Sequence, residues 1–182
     1  AATGSWHVLV ETNQGQDTAH SDSPSFDEAM GRVRECLPDV AERVAEVVYG
    51  YTCANDVTAR DLQRSDGQWA RAKGFDTFCP LGPWIETDLA PQDFVDGRTV
   101  QTHLNGDVVQ DGSTADMIFD VPTLIEFLSG STELTPGTVI LTGTPHGVGM
   151  ARKPPVLLKH GDTISIEIEK IGTLTNPVID EQ

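Results

Sequence analysis

The sequence predicts one α+β domain that is rich in β-strands. Short segments of alternating or β-branched residues recur along its 182 residues, whereas helical periodicity is confined to a few short segments. Strands and helices do not alternate regularly, so a β-rich α+β fold with short helices fits the pattern better than a doubly wound sheet. The length suffices for one domain with a substantial core but not for two.

Residues 1–27 are predicted to form an irregular or partly ordered N-terminal segment, and residues 28–182 to form the folded domain. The stretch from Thr12 to Phe26 is rich in Ser, Thr, Gln, Asp and Gly and shows no periodicity. A short strand over His7–Val10 is the regular element that we expect before it.

The first helix is expected after Pro38, because Val40, Val44 and Val47 lie on one helical face. It should run directly into an apolar strand. Asn105-Gly106 is a strong hairpin signal between two β-branched segments. The other expected elements are a helix that begins at Asp120-Val121-Pro122 and ends near Gly130, and strands over Thr138–Thr142, Thr163–Ile168 and Gly172–Val178.

The charge balance excludes some partners. Asp and Glu number 28 against 12 Lys and Arg, which gives a formal net charge of -16. Such a surface repels nucleic acid and anionic membranes, so we expect neither as a partner. It also suits high salt, which makes a halophilic source a hypothesis beside that of an ordinary acidic cytosolic protein.

The cysteines and the hydropathy favour a cytoplasmic location. Cys36, Cys53 and Cys79 are an odd number without CxxC spacing, which argues against a disulfide framework or a zinc ribbon. No apolar run approaches the length of a membrane span, and no signal-peptide pattern opens the chain.

The stretch from Tyr49 to Trp84 is the densest candidate for a functional segment. Asp56 follows an apolar strand, where a carboxylate is either a ligand for a hard cation or a turn cap. Gln63 and Lys73 follow shortly after it. Carboxylate, amide and ammonium groups together can hold a cation and an oxygen-rich anion; the alternative is an exposed loop with solvated charges.

A second candidate is the glycine-rich loop Gly143–Gly149, which follows another predicted strand and carries Thr144 and His146. It is not a P-loop, because it lacks the Gly-Lys-Ser/Thr ending. Its backbone N–H groups could still meet a carboxylate. Among the histidines, His146 is the best candidate for a functional role.

Five segments in order resemble the fumarylacetoacetate hydrolase family. They read GYTCANDVTARDLQ, WARAKGFDTFCPLGPWI, LNGDVVQDGSTADMIF, LTPGTVILTGTPHGVG and GDTISIEIEKIGTLTNPV, within residues 31–178. The resemblance implies a mixed roll of sheets, a homodimer and a reaction on a small 2-oxo or β-diketo acid. The stretch around Lys73 is most similar to the 2-hydroxyhepta-2,4-diene-1,7-dioate isomerase and 5-oxopent-3-ene-1,2,5-tricarboxylate decarboxylase members, with acylpyruvate hydrolases next.

The resemblance also assigns roles by position. Asp56 matches the family's metal-binding aspartate, Gln63 and Lys73 match its substrate contacts, and Thr144 matches the hydroxyl that meets the substrate carboxylate. The implied cofactor is Mg²⁺, with Mn²⁺ or Ca²⁺ as alternatives. A chelated 2-oxo acid would react through an enolate, which Lys73 would neutralise or protonate as the catalytic residue.

The sequence departs from the family pattern just before Gly31-Arg32. The family places there two glutamates, spaced E-x-E, that complete the metal site, whereas this chain reads SPSFDEAM. Asp27 and Glu28 are therefore the candidate replacements, with Asp22 further upstream. Because one carboxylate holds Mg²⁺ weakly, two alternatives stay open: a non-catalytic homologue that has lost the full metal site, and a subunit that dimerises with an active paralogue.

Overall fold

A computed structural model describes residues 4–10 and 40–180 of the chain. The strands are β1 (Gly4–Val10), β2 (Val48–Asn55), β3 (Leu81–Glu86), β4 (Thr99–Leu104), β5 (Asp107–Ser113), β6 (Thr138–Gly143), β7 (Thr163–Ile168) and β8 (Gly172–Pro177). The helices are α1 (Val40–Val47), α2 (Arg60–Asp66), α3 (Ala70–Lys73), α4 (Pro91–Val95) and α5 (Val121–Ser129), with 3-10 turns at Thr114–Asp116 and Gly149–Ala151. The predicted β-rich α+β fold with short helices is confirmed.

The strands form two four-stranded sheets. The first sheet has the order β3-β2-β1-β6 and the second the order β5-β4-β7-β8. Neighbouring strands of the described sheets pair in antiparallel fashion. Strand β2 packs on β7 and β8, and the Cys53 thiol donates a hydrogen bond to the Gly172 carbonyl across the two sheets at 3.4 Å.

The core lies where the inward faces of the sheets meet. Strand β7 alternates, so Ile164, Ile166 and Ile168 are buried, each stabilising the fold by about 1.5–3 kcal/mol. The Tyr51 and Phe94 rings pack with their centroids 4.1 Å apart. No helix in the described part of the chain is long and apolar enough to cross a membrane.

Local sequence signals account for several element ends. The Asn105-Gly106 turn joins β4 to β5 with left-handed φ angles of 54° and 92°, as the Asn-Gly dipeptide predicts. Asp120 caps α5, because its carboxylate accepts the Thr123 N–H at 2.9 Å. The predicted passage from α1 directly into β2 is also confirmed.

The strand expected over His7–Val10 is present and longer, beginning at Gly4. It lies between β2 and β6 in the first sheet. The rest of the predicted N-terminal segment, including its boundary at residue 27, lies outside the described residues.

This sheet order determines where the candidate site lies. Both β2 and β6 run antiparallel to β1, so they are parallel to each other and end at the same edge of the sheet. Asn55 at the end of β2 pairs with Gly4, and Gly143 at the end of β6 pairs with Trp6. Because β1 separates them and they pair two residues apart along it, the two ends lie about 12 Å apart, from two strand spacings and two residues of strand rise.

Candidate active site

Asp56 leaves the sheet directly after β2, which is buried through Asn55. The Val57 N–H donates back to the Asn55 carbonyl at 2.9 Å, which turns the chain at this point. The Asp56 side chain is 19% exposed, and the Lys73 ammonium donates a hydrogen bond to its Oδ2. The Lys73 Nζ also lies 5.8 Å from the centroid of a Trp69 ring, within the range of a cation–π contact. Two of the predicted site residues therefore form one ion pair.

Helices α2 and α3 bring the lysine back over the strand end. Ala72, next to the lysine, is fully buried, and its carbonyl accepts the Ala59 N–H at 2.9 Å. Asp66 at the end of α2 accepts two hydrogen bonds from Arg71 on α3, both at 2.6 Å. These hydrogen bonds lower the pKa of Asp66. The two helices are thus joined by a charge pair in addition to the backbone contact.

Gln63 lies on α2, one turn after Arg60. Its Oε1 accepts a hydrogen bond from Arg60 Nη1 at 2.7 Å, so its side-chain amide nitrogen faces away from the guanidinium. Desolvation lowers the pKa of Arg60, and the nearby Asp56 charge opposes that shift. Gln63 therefore belongs to the same segment as Asp56, with Arg60 orienting its amide.

Thr144 lies in the loop that follows β6. The buried Gln110 of β5 donates from Nε2 to both Thr144 Oγ1 and the Pro145 carbonyl, each at 2.9 Å. A Cβ at Gly112 of β5 would lie 2.8 Å from the Pro145 Cβ, so the loop lies directly on this strand. His146, the other functional candidate in the loop, is exposed.

Arg152 fastens the far end of the loop to the same strand. Its Nε donates to the Gly147 carbonyl at 3.1 Å, and its Nη2 donates to the Val109 carbonyl. Gly147 has a φ of +101°, and a Cβ there would lie 2.6 Å from the Val109 oxygen. Glycine is required at this position by both the backbone angle and the close contact.

The sheet therefore places the predicted residues at one edge. Asp56, which pairs with Lys73, lies directly after the end of β2. Thr144 lies directly after the end of β6, the strand on the other side of β1. Across about 12 Å between the strand ends, side chains that extend from both ends can reach a small acid of a few carbon atoms. A titratable pair and a neutral hydroxyl at this separation can hold such an acid and move a proton on it.

The described residues fit one ligand position of a divalent cation. Asp56 offers a carboxylate oxygen, and Mg²⁺ is commonly held by one or two carboxylates together with water and substrate oxygens. Among the described side chains, no group of three His, Cys, Asp or Glu residues could hold a metal ion. The other predicted ligands, Asp27 and Glu28, lie outside the described residues.

Cys79 also lies near the ion pair. Desolvation raises the pKa of its thiol, the Asp56 charge adds to the shift, and Lys73 opposes it. A raised pKa disfavours the thiolate, which is the nucleophilic form. Cys79 is therefore suited to a structural role rather than to nucleophilic attack.

Sequence reasoning missed Gln110 and Arg152, the two residues that hold the Thr144 loop. Gln110 lies in the return strand of the predicted hairpin, and glutamine is rarely buried. A signal existed in the alternation of β4, where Thr102 is a polar residue on the buried face. Two facing polar residues on the inner side of a hairpin predict a hydrogen-bonded network.

Comparison with known proteins identifies the family. Residues 30–179 match the model of the fumarylacetoacetate (FAA) hydrolase C-terminal domain. The chain belongs to the fumarylacetoacetate hydrolase family. Within the family, a Mycobacterium tuberculosis protein is 53% identical over 146 residues, which are 80% of this chain and 52% of that protein. The oxaloacetate tautomerase YisK of Bacillus subtilis is 47% identical over 131 residues, 72% of this chain and 43% of that enzyme.

Solved structures support the same membership. The crystal structure of 5-carboxymethyl-2-hydroxymuconate delta-isomerase from Mycobacterium smegmatis matches with a TM-score of 0.75 and 43% identity, covering 100% of this chain and 59% of that one. The predicted resemblance to isomerase members of the fumarylacetoacetate hydrolase family is confirmed. The chain spans about half the length of the relatives that it matches.

Proposed function

We propose that this fumarylacetoacetate hydrolase-family chain forms the catalytic centre of a divalent-metal-dependent enzyme that acts on a small 2-oxo or β-diketo (di)carboxylic acid through an enolate. The observation that carries the proposal is the Asp56–Lys73 ion pair at one strand end with Thr144 at the parallel strand end. A charged acid–base group and a hydroxyl on either side of one small ligand suit proton transfer next to a carbonyl.

Lys73 is the residue that moves the proton. Its ammonium lies in contact with a carboxylate and beside an aromatic ring, so it is placed by its surroundings before the substrate binds. In ketonisation the Lys73 ammonium donates a proton to the substrate carbon as the enol becomes the ketone, and the resulting amine takes up the proton that the enol oxygen releases, so that the lysine ends in its starting form. Gln63, oriented by Arg60, donates its amide N–H to a substrate oxygen.

Asp56 would hold the divalent cation, with Asp27 and Glu28 as the further carboxylates that the sequence offers. The cation would supply polarisation of the 2-oxo group and charge stabilisation of the enolate. Mg²⁺ is the first choice, with Mn²⁺ or Ca²⁺ next, because the donors are hard oxygen atoms.

Tautomerisation or isomerisation is the reaction class that we place first. The Bacillus subtilis relative is an oxaloacetate tautomerase at 47% identity, and the Mycobacterium smegmatis neighbour is a delta-isomerase at 43% identity. Both names describe the movement of a proton and a double bond without loss of a carbon fragment. Decarboxylation and acylpyruvate-type hydrolysis start from the same enolate chemistry and come next.

The direct test measures the ketonisation of enol-oxaloacetate as the decay of the ultraviolet absorbance of the enol. We expect the purified protein with Mg²⁺ to accelerate the decay, EDTA to abolish the acceleration, and added Mg²⁺ to restore it. Added Mg²⁺ should not restore activity to Asp56→Asn. Asp88 is an exposed aspartate in another loop, and Asp88→Asn should behave as the wild type. A wild-type rate equal to that of buffer for this substrate and for acylpyruvates would contradict the proposal.

The missing E-x-E pair before Gly31-Arg32 favours one second candidate, a homologue that binds anions without catalysis or pairs with an active partner. Calorimetric titration of Mg²⁺ and Mn²⁺ separates the two. Binding that Asp56→Asn removes supports the enzyme. Absence of binding at both low and high salt, together with absence of turnover, supports the second candidate.

The homodimer, the cytoplasmic location and the lack of nucleic-acid or membrane partners stay predictions. The net charge of -16 supports the last of them. Light scattering on the purified chain gives its mass in solution: a species of about twice 19.6 kDa would support the dimer.

A further inference from the structure

Gln110 is buried next to the candidate site, and its amide has a defined orientation. The residue is 2% exposed on β5. Thr102 Oγ1 donates to its Oε1 at 2.9 Å, and its Nε2 lies 2.9 Å from both Thr144 Oγ1 and the Pro145 carbonyl. A carbonyl oxygen only accepts hydrogen bonds, so the amide nitrogen must face the loop and the amide oxygen must face Thr102.

This orientation determines the direction of the Thr144 hydroxyl. Its oxygen accepts the N–H of Gln110, so its own hydrogen points away from Gln110. Thr102, which is 1% exposed, fixes the opposite end of the amide. The chain of contacts from Thr102 through Gln110 therefore makes Thr144 a donor toward another group.

We propose that Gln110 is a positioning residue that aims the Thr144 O–H at the carboxylate of the 2-oxo acid. The inference rests on the proposed function. It adds that Gln110 orients the Thr144 hydroxyl toward the carboxylate position before the substrate binds. The same amide also holds the Pro145 carbonyl, so a single side chain sets both the hydroxyl direction and the position of the loop backbone. All these groups are neutral, so the arrangement does not depend on the protonation of any of its own side chains.

The first test is a pair of substitutions in a double-mutant cycle. Gln110→Met keeps the length of the side chain but removes both donors, and we expect the KM for oxaloacetate to rise about three- to tenfold, the loss of one hydrogen bond, with kcat nearly unchanged. Thr144→Val should raise KM by about tenfold or more, because it removes the hydrogen bond to the charged carboxylate itself. If Gln110 acts through Thr144, the double variant should have the KM of Thr144→Val alone.

Gln101→Met is the matched control. Gln101 lies on the neighbouring strand, and its amide donates to Asp111 at the protein surface at 3.1 Å. Its KM and kcat should equal those of the wild type. Independent, multiplicative effects of the Gln110 and Thr144 substitutions, or a Gln110→Met variant with wild-type KM, would overturn the proposal.

A second variant distinguishes positioning from general support of the fold. In Gln110→Glu the side chain keeps its shape, but an ionised carboxylate would attract the Thr144 hydrogen and turn it away from the substrate. Protonation of this buried carboxyl restores a donor, and burial raises its pKa. We expect KM to be about tenfold above wild type at high pH, as for loss of a charge-assisted hydrogen bond, and to approach the wild-type value as the pH is lowered. A KM ratio that does not change with pH contradicts this role.

A measurement without substrate separates this inference from the proposed function. With ¹³C-labelled threonine methyl groups, the three-bond couplings of Thr144 report its side-chain rotamer, and Thr144→Val assigns its signal. We expect one rotamer in the wild type and in Gln101→Met, and rotamer averaging in Gln110→Met. Unchanged couplings in Gln110→Met overturn the positioning role, whereas absence of turnover by a wild type whose couplings respond overturns the proposed function alone.

Discussion

The segment after β2 and the loop after β6 end at the same sheet edge but are held by different forces. After β2, Lys73 contacts Asp56, and the helices that carry it are joined by the Asp66–Arg71 ion pair. After β6, Thr144 is held by the neutral amide of buried Gln110. Charged groups that exchange protons suit the acid–base step, whereas neutral donors fixed in advance suit carboxylate binding. In the proposed reaction, the segment after β2 would therefore carry out the acid–base step, and the loop after β6 would bind the carboxylate.

The largest effect is expected from a substitution in the charged segment after β2. Lys73→Met removes the ammonium but keeps an unbranched side chain, and we expect the rate of ketonisation to fall by about 10²–10⁴-fold, as for loss of a general acid. Lys159→Met, at an exposed lysine, is the matched control and should keep wild-type activity. Stopped-flow absorbance gives both rates. A fall of less than about threefold in Lys73→Met would remove the lysine from the mechanism.

The next largest effect is expected from a backbone substitution in the loop after β6, which is held by neutral groups. Gly147→Ala puts a Cβ at 2.6 Å from the Val109 carbonyl at a φ of +101°. Gly161→Ala has a similar φ of +88° with nothing within 4 Å. The left-handed backbone alone costs about 1–2 kcal/mol, so Gly161→Ala should lose about that much stability and Gly147→Ala clearly more.

Thermal unfolding measures this difference, and about 1 kcal/mol corresponds to roughly 2–4 °C in Tm for a chain of this size. Gly147→Ala should also raise the KM for oxaloacetate, because the loop must move from β5. Equal losses in the two variants would show that the contact between Gly147 and Val109 contributes nothing.

The smallest expected effect is a pH dependence of stability that is confined to the charged segment after β2. Hydrogen bonds from Arg71 lower the pKa of Asp66 below its unfolded value. The stabilisation by this carboxylate is therefore fully present above the unfolded pKa of about 3.9 and is lost as the pH falls through the lower folded value. The protection of the α2 and α3 amides, which is their exchange rate relative to the intrinsic rate at each pH, should fall below about pH 4, with no such change in the loop after β6.

Asp66→Asn provides the control for this pH dependence. Its α2 and α3 amides should exchange slightly faster at neutral pH, and the acid-dependent change should disappear. An unaltered acid response in Asp66→Asn would assign the effect to another carboxylate.

The sequence was sufficient to predict those features that depend on local pattern. The Asn105-Gly106 turn, the Asp120 cap and the strand before Asp56 follow from backbone preference and periodicity. The residue pattern also indicated Asp56, Gln63, Lys73 and Thr144 as candidates, and the resemblance assigned their roles. Each of these is a short-range or motif-level signal.

The contacts that organise the site could not be predicted in this way. Gln110 and Thr144 are separated by 34 positions in the chain, and their contact depends on how the second sheet lies under the loop. The insertion of β1 between β2 and β6 is likewise a long-range pairing, and it determines that both strand ends share one edge. Such pairings depend on tertiary packing, which composition and periodicity do not encode.

Calorimetric titration of oxalate, a small dicarboxylate, in the presence of Mg²⁺ tests most directly whether the two strand ends form one site. We predict that Asp56→Asn abolishes binding and that Thr144→Val weakens it about tenfold or more, the effect of losing a hydrogen bond to a charged group. Thr173→Val, at an exposed threonine of β8, should bind as the wild type does. Wild-type oxalate affinity in Thr144→Val, with binding lost in Asp56→Asn, would contradict the account, because the two strand ends would then not share a ligand.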